Sequence, residues 1–298
     1  IPGLWVRLKN GDIKRNHIGS LVDMDENPLP DFSIFEDARF YRPMAGSIYR
    51  MFPIETHRGC PYTCSFCNSP TQNRIFKSAL NANFFRKSSM DKIRQELAFC
   101  RDVWKAEYFL FWADTFFAWS DEEFYGFCEM YEDIKIPFWC QTRPETVVEP
   151  RIKRLKEVGV QRMDFGIEHG NAEYRRRVVK RNYSNELVVE RMSIVNDYGI
   201  QYAVNNILGF PYETRELAFD TIELNRQVNS DTLDCSIFVP YHGTELRTVC
   251  EGAGFIHPDA ICRSNSDDSA LTMPPPFMSR EEIRKLRDVF TMYIKFPK

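Results

Sequence analysis

The chain has 298 residues, of which 43% are hydrophobic and 14% aromatic; that is enough to bury a sizeable core and argues against a disordered segment. Its formal net charge of −3, from 39 basic and 42 acidic residues, offers no electrostatic case for a nucleic-acid partner. No apolar run reaches the roughly 20 residues of a membrane-spanning helix, and the opening IPGLWVRLKNGD lacks the basic region and apolar stretch of a secretory signal.

The chain opens on Ile1 rather than Met, which suggests part of something longer. Residues 1–45 read as an accessory hairpin and linker. Trp5–Leu8 and Ile13–Arg15 flank Asn10-Gly11, a tight-turn signal. Pro28 and Pro30 then punctuate an extended stretch. From about residue 50, short apolar runs alternate with helical patterns. The runs are 107–114, 137–145, 162–170, 202–211 and 235–243. They lack the polar alternation of a one-sided sheet, which predicts parallel strands buried on both faces.

Between them, Met90, Ile93, Leu97, Cys100 and Trp104 share one helical face. Ser120 with Glu123, and Ser279 with Glu282, form capping boxes. Leu217, Thr221, Leu224 and Val228 mark a further helix. Repeated strand–helix units define an α/β fold, either a barrel or an open doubly wound sheet.

Nine cysteines are present, an odd number, and three fall within eight residues. That usage fits a reducing, cytoplasmic setting with one thiolate site rather than a disulfide framework. The three lie in ETHRGCPYTCSFCNSP, residues 55–70, as Cys60, Cys64 and Cys67 with C-x3-C-x2-C spacing. Such a loop can place three thiolates round one face of a [4Fe–4S] cluster and leave the fourth iron open to a small molecule. Two alternatives stand beside it: zinc held by the three cysteines and His57, and an electron-transfer cluster completed by a distant cysteine.

The aromatic Phe66 before the last cysteine, and the loop's place after the first strand, resemble the radical S-adenosylmethionine superfamily over roughly residues 50–255. The resemblance implies a partial (βα)6 TIM-like barrel over 46–255, after the N-terminal hairpin and linker and before a C-terminal extension, 256–298, with a terminal helix. It also implies that Cys60, Cys64 and Cys67 hold a [4Fe–4S] cluster whose open iron binds S-adenosylmethionine. One electron, from a donor such as flavodoxin or ferredoxin, then cleaves it to methionine and a 5′-deoxyadenosyl radical that attacks a small-molecule substrate. The GxE strand and the GFPxET turn are similar to the cobalamin-linked branch, which includes radical methyltransferases and an oxygen-independent cyclase of chlorophyll synthesis. The D-x-H-x-x-G motif of that branch's cobalamin domain is absent, so any cobalamin is expected on a domain outside this chain. A sulfur-inserting methylthiotransferase-like enzyme and a non-enzymatic zinc-stapled module are the rival functions.

Polar residues at strand ends are the expected ligand contacts of such a barrel. Asp114 stands where the family often has a GGE-type stretch for the methionine amino group. Arg143 could pair with the methionine carboxylate or, structurally, with Glu145. Glu168 matches the GxE glutamate that touches S-adenosylmethionine. Phe66 is expected near adenine, and Asn205 or Asn206 toward the lumen. His169 reads as structural, and the basic run 175–181 as a solvated helix.

Overall fold

The computed structural model describes residues 1–262 and 268–296. Each apolar run forms a strand, and the strands share one curled sheet. The elements in chain order are β1 (Trp5–Arg7), β2 (Ile13–Arg15), β3 (Tyr41–Met44), β4 (Ser47–Ile54), β5 (His57–Arg58), α1 (Ser69–Leu80), β6 (Arg86–Lys87) and α2 (Met90–Asp102). Then come β7 (Tyr108–Phe111), α3 (Asp121–Tyr131), β8 (Phe138–Thr142), α4 (Glu149–Val158), β9 (Val160–Glu168) and the short α5 (Ala172–Tyr174). A π-helical turn, Arg175–Val179, leads to α6 (Asn185–Asp197), β10 (Gln201–Leu208), α7 (Arg215–Gln227), β11 (Thr232–Ile237), α8 (Glu245–Gly252) and α9 (Arg280–Lys295).

The main sheet runs β11-β10-β9-β8-β7-β4-β3. The six strands from β4 to β11 are parallel, and β3 joins the edge antiparallel to β4. The fold is thus a partial (βα)6 barrel with one added edge strand. β3 falls in the stretch expected as linker. It is joined to β4 through Ala45-Gly46, both with positive φ (50° and 82°), the conformation of a tight hairpin turn.

The strands are less uniformly apolar than expected. In β9, Met163, Phe165 and Ile167 are fully buried, while Arg162, Asp164, Gly166 and Glu168 alternate with them. The apolar set faces the helices and the polar set faces the lumen, because side chains alternate across a strand. The helix side carries the main core, where Phe111, Phe116, Phe127, Tyr131 and Phe138 interlock edge to face.

The expected helix starts are realised. Ser120 with Glu123 and Ser279 with Glu282 close reciprocal capping boxes, and Thr214 caps α7. The amphipathic α9 buries Ile283, Leu286, Phe290 and Ile294 against α7 and β11, in a second core with Phe210 and Ile222. It thereby covers the last strand of the sheet. The N-terminal hairpin β1–β2 forms as expected, with every strand residue exposed. Among the described residues, no helix is long and apolar enough to cross a membrane.

Candidate active site

The loop after β4 carries the three cysteines to the C-terminal end of the parallel strands. Neighbouring loops fix it through backbone contacts. Ser65 N–H donates to Val179 O (3.2 Å) and Ser65 Oγ to Val178 O (2.5 Å), while Leu246 N–H donates to Ser65 O (3.1 Å). Asn73 Nδ2 donates to Cys60 O (3.0 Å). Gly59, at φ 82°, passes so close to Phe84 that a Cβ would stand 2.7 Å from its ring.

Each sulfur has a polar neighbour. Cys60 Sγ lies 3.5 Å from Thr115 Oγ1, Ser69 N–H donates to Cys67 Sγ (3.4 Å), and Arg143 Nη1 donates to Cys64 Sγ (3.4 Å). None of the three is in a disulfide. Burial pushes the Cys60 and Cys67 thiols above their ordinary pKa. All three open onto one cavity of about 170 Å³ at the top of the lumen.

Phe66, Asp114, Arg143, Glu168 and Asn205 line that same cavity, so all eight residues expected from the sequence meet in one place. Asp114 is exposed and accepts a hydrogen bond from Ser69 Oγ (3.2 Å). The ring of Phe66 packs edge-on against Phe210, with centroids 6.0 Å apart. Asn205 turns toward the lumen, whereas Asn206 is buried on the other face and exchanges hydrogen bonds with Asn225.

Glu168 closes β9 with a left-handed φ of 67°, a strained position for a non-glycine residue. Its carboxylate meets Arg181 at 3.0 Å, and both side chains are about nine-tenths buried. Burial lifts the Glu168 carboxyl above its ordinary pKa, against the pull of Arg181 and Arg143. Gly166 leaves room for the pair, since a Cβ there would stand 2.3 Å from Glu168 Oε1 and 3.2 Å from Arg181 Nη1. This is the physical content of the GxE pattern here.

Arg143 adopts the structural partner expected for it and more. Nη2 pairs with Glu145, Nη1 reaches Cys64, and the guanidinium lies 3.8 Å over the Tyr62 ring. The basic run 175–181 corrects another expectation. Arg175 and Arg181 are buried, Arg175 donating to His169 O and Tyr183 O, because the π-helical turn folds them back under the cavity.

Arg181, Thr115 and Tyr62 are site residues that sequence reasoning missed. Only their closeness in sequence to strand ends and to the cysteines could have hinted at them. Several singled-out residues have structural roles instead. His169 is buried 3.1 Å from Glu213 and stacked on Tyr174. Glu213, in the GFPxET turn, accepts from Gly209 N–H (2.5 Å).

The donor set fits an iron–sulfur cluster better than a single ion. The corners of a cubane hold thiolates further apart than the ligands of one zinc. His57, the fourth zinc ligand considered above, is buried against Phe85 and Trp119 with Nδ1 on Thr56 Oγ1.

With a partial (βα)6 barrel, and three thiols above a polar lumen, comparison with known proteins identifies the family. Residues 54–224, more than half of the chain, match the model of the radical SAM superfamily. The chain belongs to that superfamily of enzymes. It is 24% identical over 240 residues to an uncharacterised methyltransferase of Pyrococcus horikoshii, covering 80% of this chain and 50% of that protein. It is 25% identical to the hopanoid C-3 methylase of Methylococcus capsulatus, covering 76% and 41%. It is 23% identical to the anaerobic magnesium-protoporphyrin IX monomethyl ester cyclase of Rubrivivax gelatinosus, covering 73% and 38%. The chain thus spans half or less of these relatives' lengths. Its fold resembles that of OxsB, a cobalamin-dependent S-adenosylmethionine radical enzyme (TM-score 0.59, 18% identity, 84% of this chain and 35% of that one). It also resembles TsrM from Kitasatospora setae, a radical S-adenosylmethionine methyltransferase (TM-score 0.56, 16% identity, 80% and 47%).

Proposed function

We propose that this chain is the catalytic barrel of an enzyme that reductively cleaves S-adenosylmethionine, for methyl transfer or rearrangement at an unactivated carbon. The observation that carries the reading is the convergence of Cys60, Cys64 and Cys67 with Asp114, Arg143, Glu168 and Asn205 on one cavity. The three cysteines would hold a [4Fe–4S] cluster which, when bound, supplies the electron that splits S-adenosylmethionine into methionine and a 5′-deoxyadenosyl radical.

The protein's own residues do the positioning. Asp114, exposed at the cavity edge, offers a carboxylate to the methionine ammonium. Glu168 is held rigid by Arg181 and presents its carboxylate edge to the ribose or the amino-acid part. Phe66 offers an apolar face to adenine, and Asn205 a hydrogen-bonding amide. Arg143 stands between Cys64 and the lumen, where it can meet the methionine carboxylate. The buried walls exclude water, which strengthens each of these contacts.

Cobalamin, where it takes part, would be brought by a domain outside this chain, as the cobalamin-dependent fold relatives and the methylases among the sequence relatives suggest. The electron would come from a small reducing protein such as flavodoxin or ferredoxin, and the free thiols suit a reducing cytoplasm.

The test is anaerobic reconstitution with iron and sulfide, reduction with dithionite, and chromatography after addition of S-adenosylmethionine. 5′-Deoxyadenosine that depends on all three cysteines is the expected result. Binding of one zinc, with no iron and no acid-labile sulfide, would overturn the reading.

A further inference from the structure

Below the cysteine cavity, the lumen continues as a second, open trough of about 450 Å³, within the size range of small-molecule sites. Asp164 lines both spaces and stands where they adjoin. Strand register builds the trough. Leu110 on β7 is paired with Trp139 on β8, and Trp139 with Arg162 on β9, so three lumen-facing side chains stand in one row. Gln141 and Asp164 form the next row toward the cysteines. The β3–β4 hairpin turn, with Met44, makes the floor.

Two features of this trough are unexplained by the fold. Trp112 follows β7 and lies 6.1 Å from Trp139, centroid to centroid, yet is 59% exposed. A large aromatic side chain kept half in water beside a deep lumen serves no core. The acids also outnumber the bases available to them. Arg143 is committed to Glu145, and Arg181 to Glu168. Asp164 is met by Trp139, which hydrogen-bonds its carboxylate, and by Arg162, whose Nε forms an ion pair with Oδ1 at 3.6 Å, beyond hydrogen-bond length. Asp164 Oδ1 is buried without a hydrogen bond. Burial pushes the Asp164 carboxyl above its ordinary pKa, against the pull of Trp139 and Arg162.

We infer that this trough is the substrate subsite and that it takes a planar, largely apolar molecule bearing an amine or other cationic group directed at Asp164. The inference rests on the radical reading above for its chemistry, and on the trough alone for its ligand. The indoles of Trp112 and Trp139 offer faces to a flat ring, and their π clouds favour a cation. Asp164 fixes the polar end next to the cysteine cavity, where a reacting carbon must lie.

Tryptamine and indole-3-acetate share a ring and differ in the sign of the charge. Their binding to the full chain is to be measured by equilibrium dialysis, with S-adenosylhomocysteine present to occupy the nucleoside site. Tryptamine is expected to bind at least tenfold more tightly than indole-3-acetate. Asp164→Asn, which keeps shape and removes charge, should abolish that preference. Trp112→Ala, at an exposed position that folding does not depend on, should weaken both ligands several-fold. Equal affinity for the two ligands, displacement of tryptamine by S-adenosylhomocysteine, or no change in either variant would overturn the inference. Failure to form 5′-deoxyadenosine, with tryptamine still bound in this pattern, would sink the radical reading and leave the subsite. 5′-Deoxyadenosine formation without the pattern would sink the subsite alone.

Discussion

The Glu168–Arg181 pair is the most exposed point of this reasoning. Replacing Arg181 with Met keeps the length of the side chain but leaves the Glu168 carboxylate buried without its 3.0 Å partner. Breaking a buried pair from one side costs about 3–5 kcal/mol. Arg181 Nη1 also donates to Gly166 O (2.5 Å), so a buried carbonyl loses its donor, adding about 1 kcal/mol. Glu168→Gln should cost less, about 1–3 kcal/mol, because Arg181 keeps Gly166 O and the nearby Tyr183. In the double variant no charge is left uncompensated. Its loss should therefore fall at least about 2 kcal/mol short of the sum of the singles. The assay is urea unfolding of the cluster-free protein under anaerobic conditions at neutral pH, with equal m-values as the check on two-state behaviour. Additive losses would mean that the pair does not hold Glu168, and the account of the GxE glutamate would fail.

Cys64→Ala is expected to lose the reconstituted cluster, read as bound iron and acid-labile sulfide, and with it all 5′-deoxyadenosine formation. Gly170→Ala should destabilise by about 3 kcal/mol or more, because a Cβ would stand 2.1 Å from the backbone oxygen of Asp220, which cannot swing away as a side chain would; thermal unfolding near wild-type would refute that packing. His57 is held neutral in the fold, its pKa pushed down from 6.5 to about 3 by burial first and by Lys87 second. The unfolded chain binds that proton more readily, so stability is intact above 6.5 and falls as pH drops toward 3, by no more than about 1.4 kcal/mol per pH unit. His57→Phe should flatten that part of the stability–pH curve, and an unchanged slope would show that His57 is not its source.

Much of this architecture is legible because parallel strands and their helices impose strong local patterns. The capping boxes at Ser120 and Ser279 and the helical faces needed only residues within a few positions. The cysteine loop is equally local, and the ends of strands are where a barrel must place its ligand contacts. What escaped is non-local or hidden by composition. The strand Tyr41–Met44 was masked by a proline at position 43, which an edge strand tolerates because one side of it needs no donor. In β9, Asp164 and Gly166 lie in a run read as buried on both faces, yet they are the lumen face of an alternating strand. The burial of Arg181 follows from the π-helical turn, whose extra residue per turn no helical periodicity reveals.

Arg143 shows how far geometry can revise a role that residue type suggests. A guanidinium at a strand end invites a carboxylate ligand, and a neighbouring glutamate invites an ion pair; these compete in a sequence but not in the fold. The planar fork gives one edge to Glu145 and turns Nη1 to Cys64, while Tyr62 covers its face. Glu145 and Tyr62 therefore orient the cation that a cysteine sulfur meets. A lysine has a single point of charge and could not face the carboxylate, the ring and the sulfur together. Arg143 thus lines the cavity in an orientation already fixed by its neighbours, and a methionine carboxylate would meet a preset guanidinium rather than a free one. The lumen beyond it holds Asp164, whose Oδ1 is buried without a hydrogen bond, and it is there that the substrate proposed above would be selected.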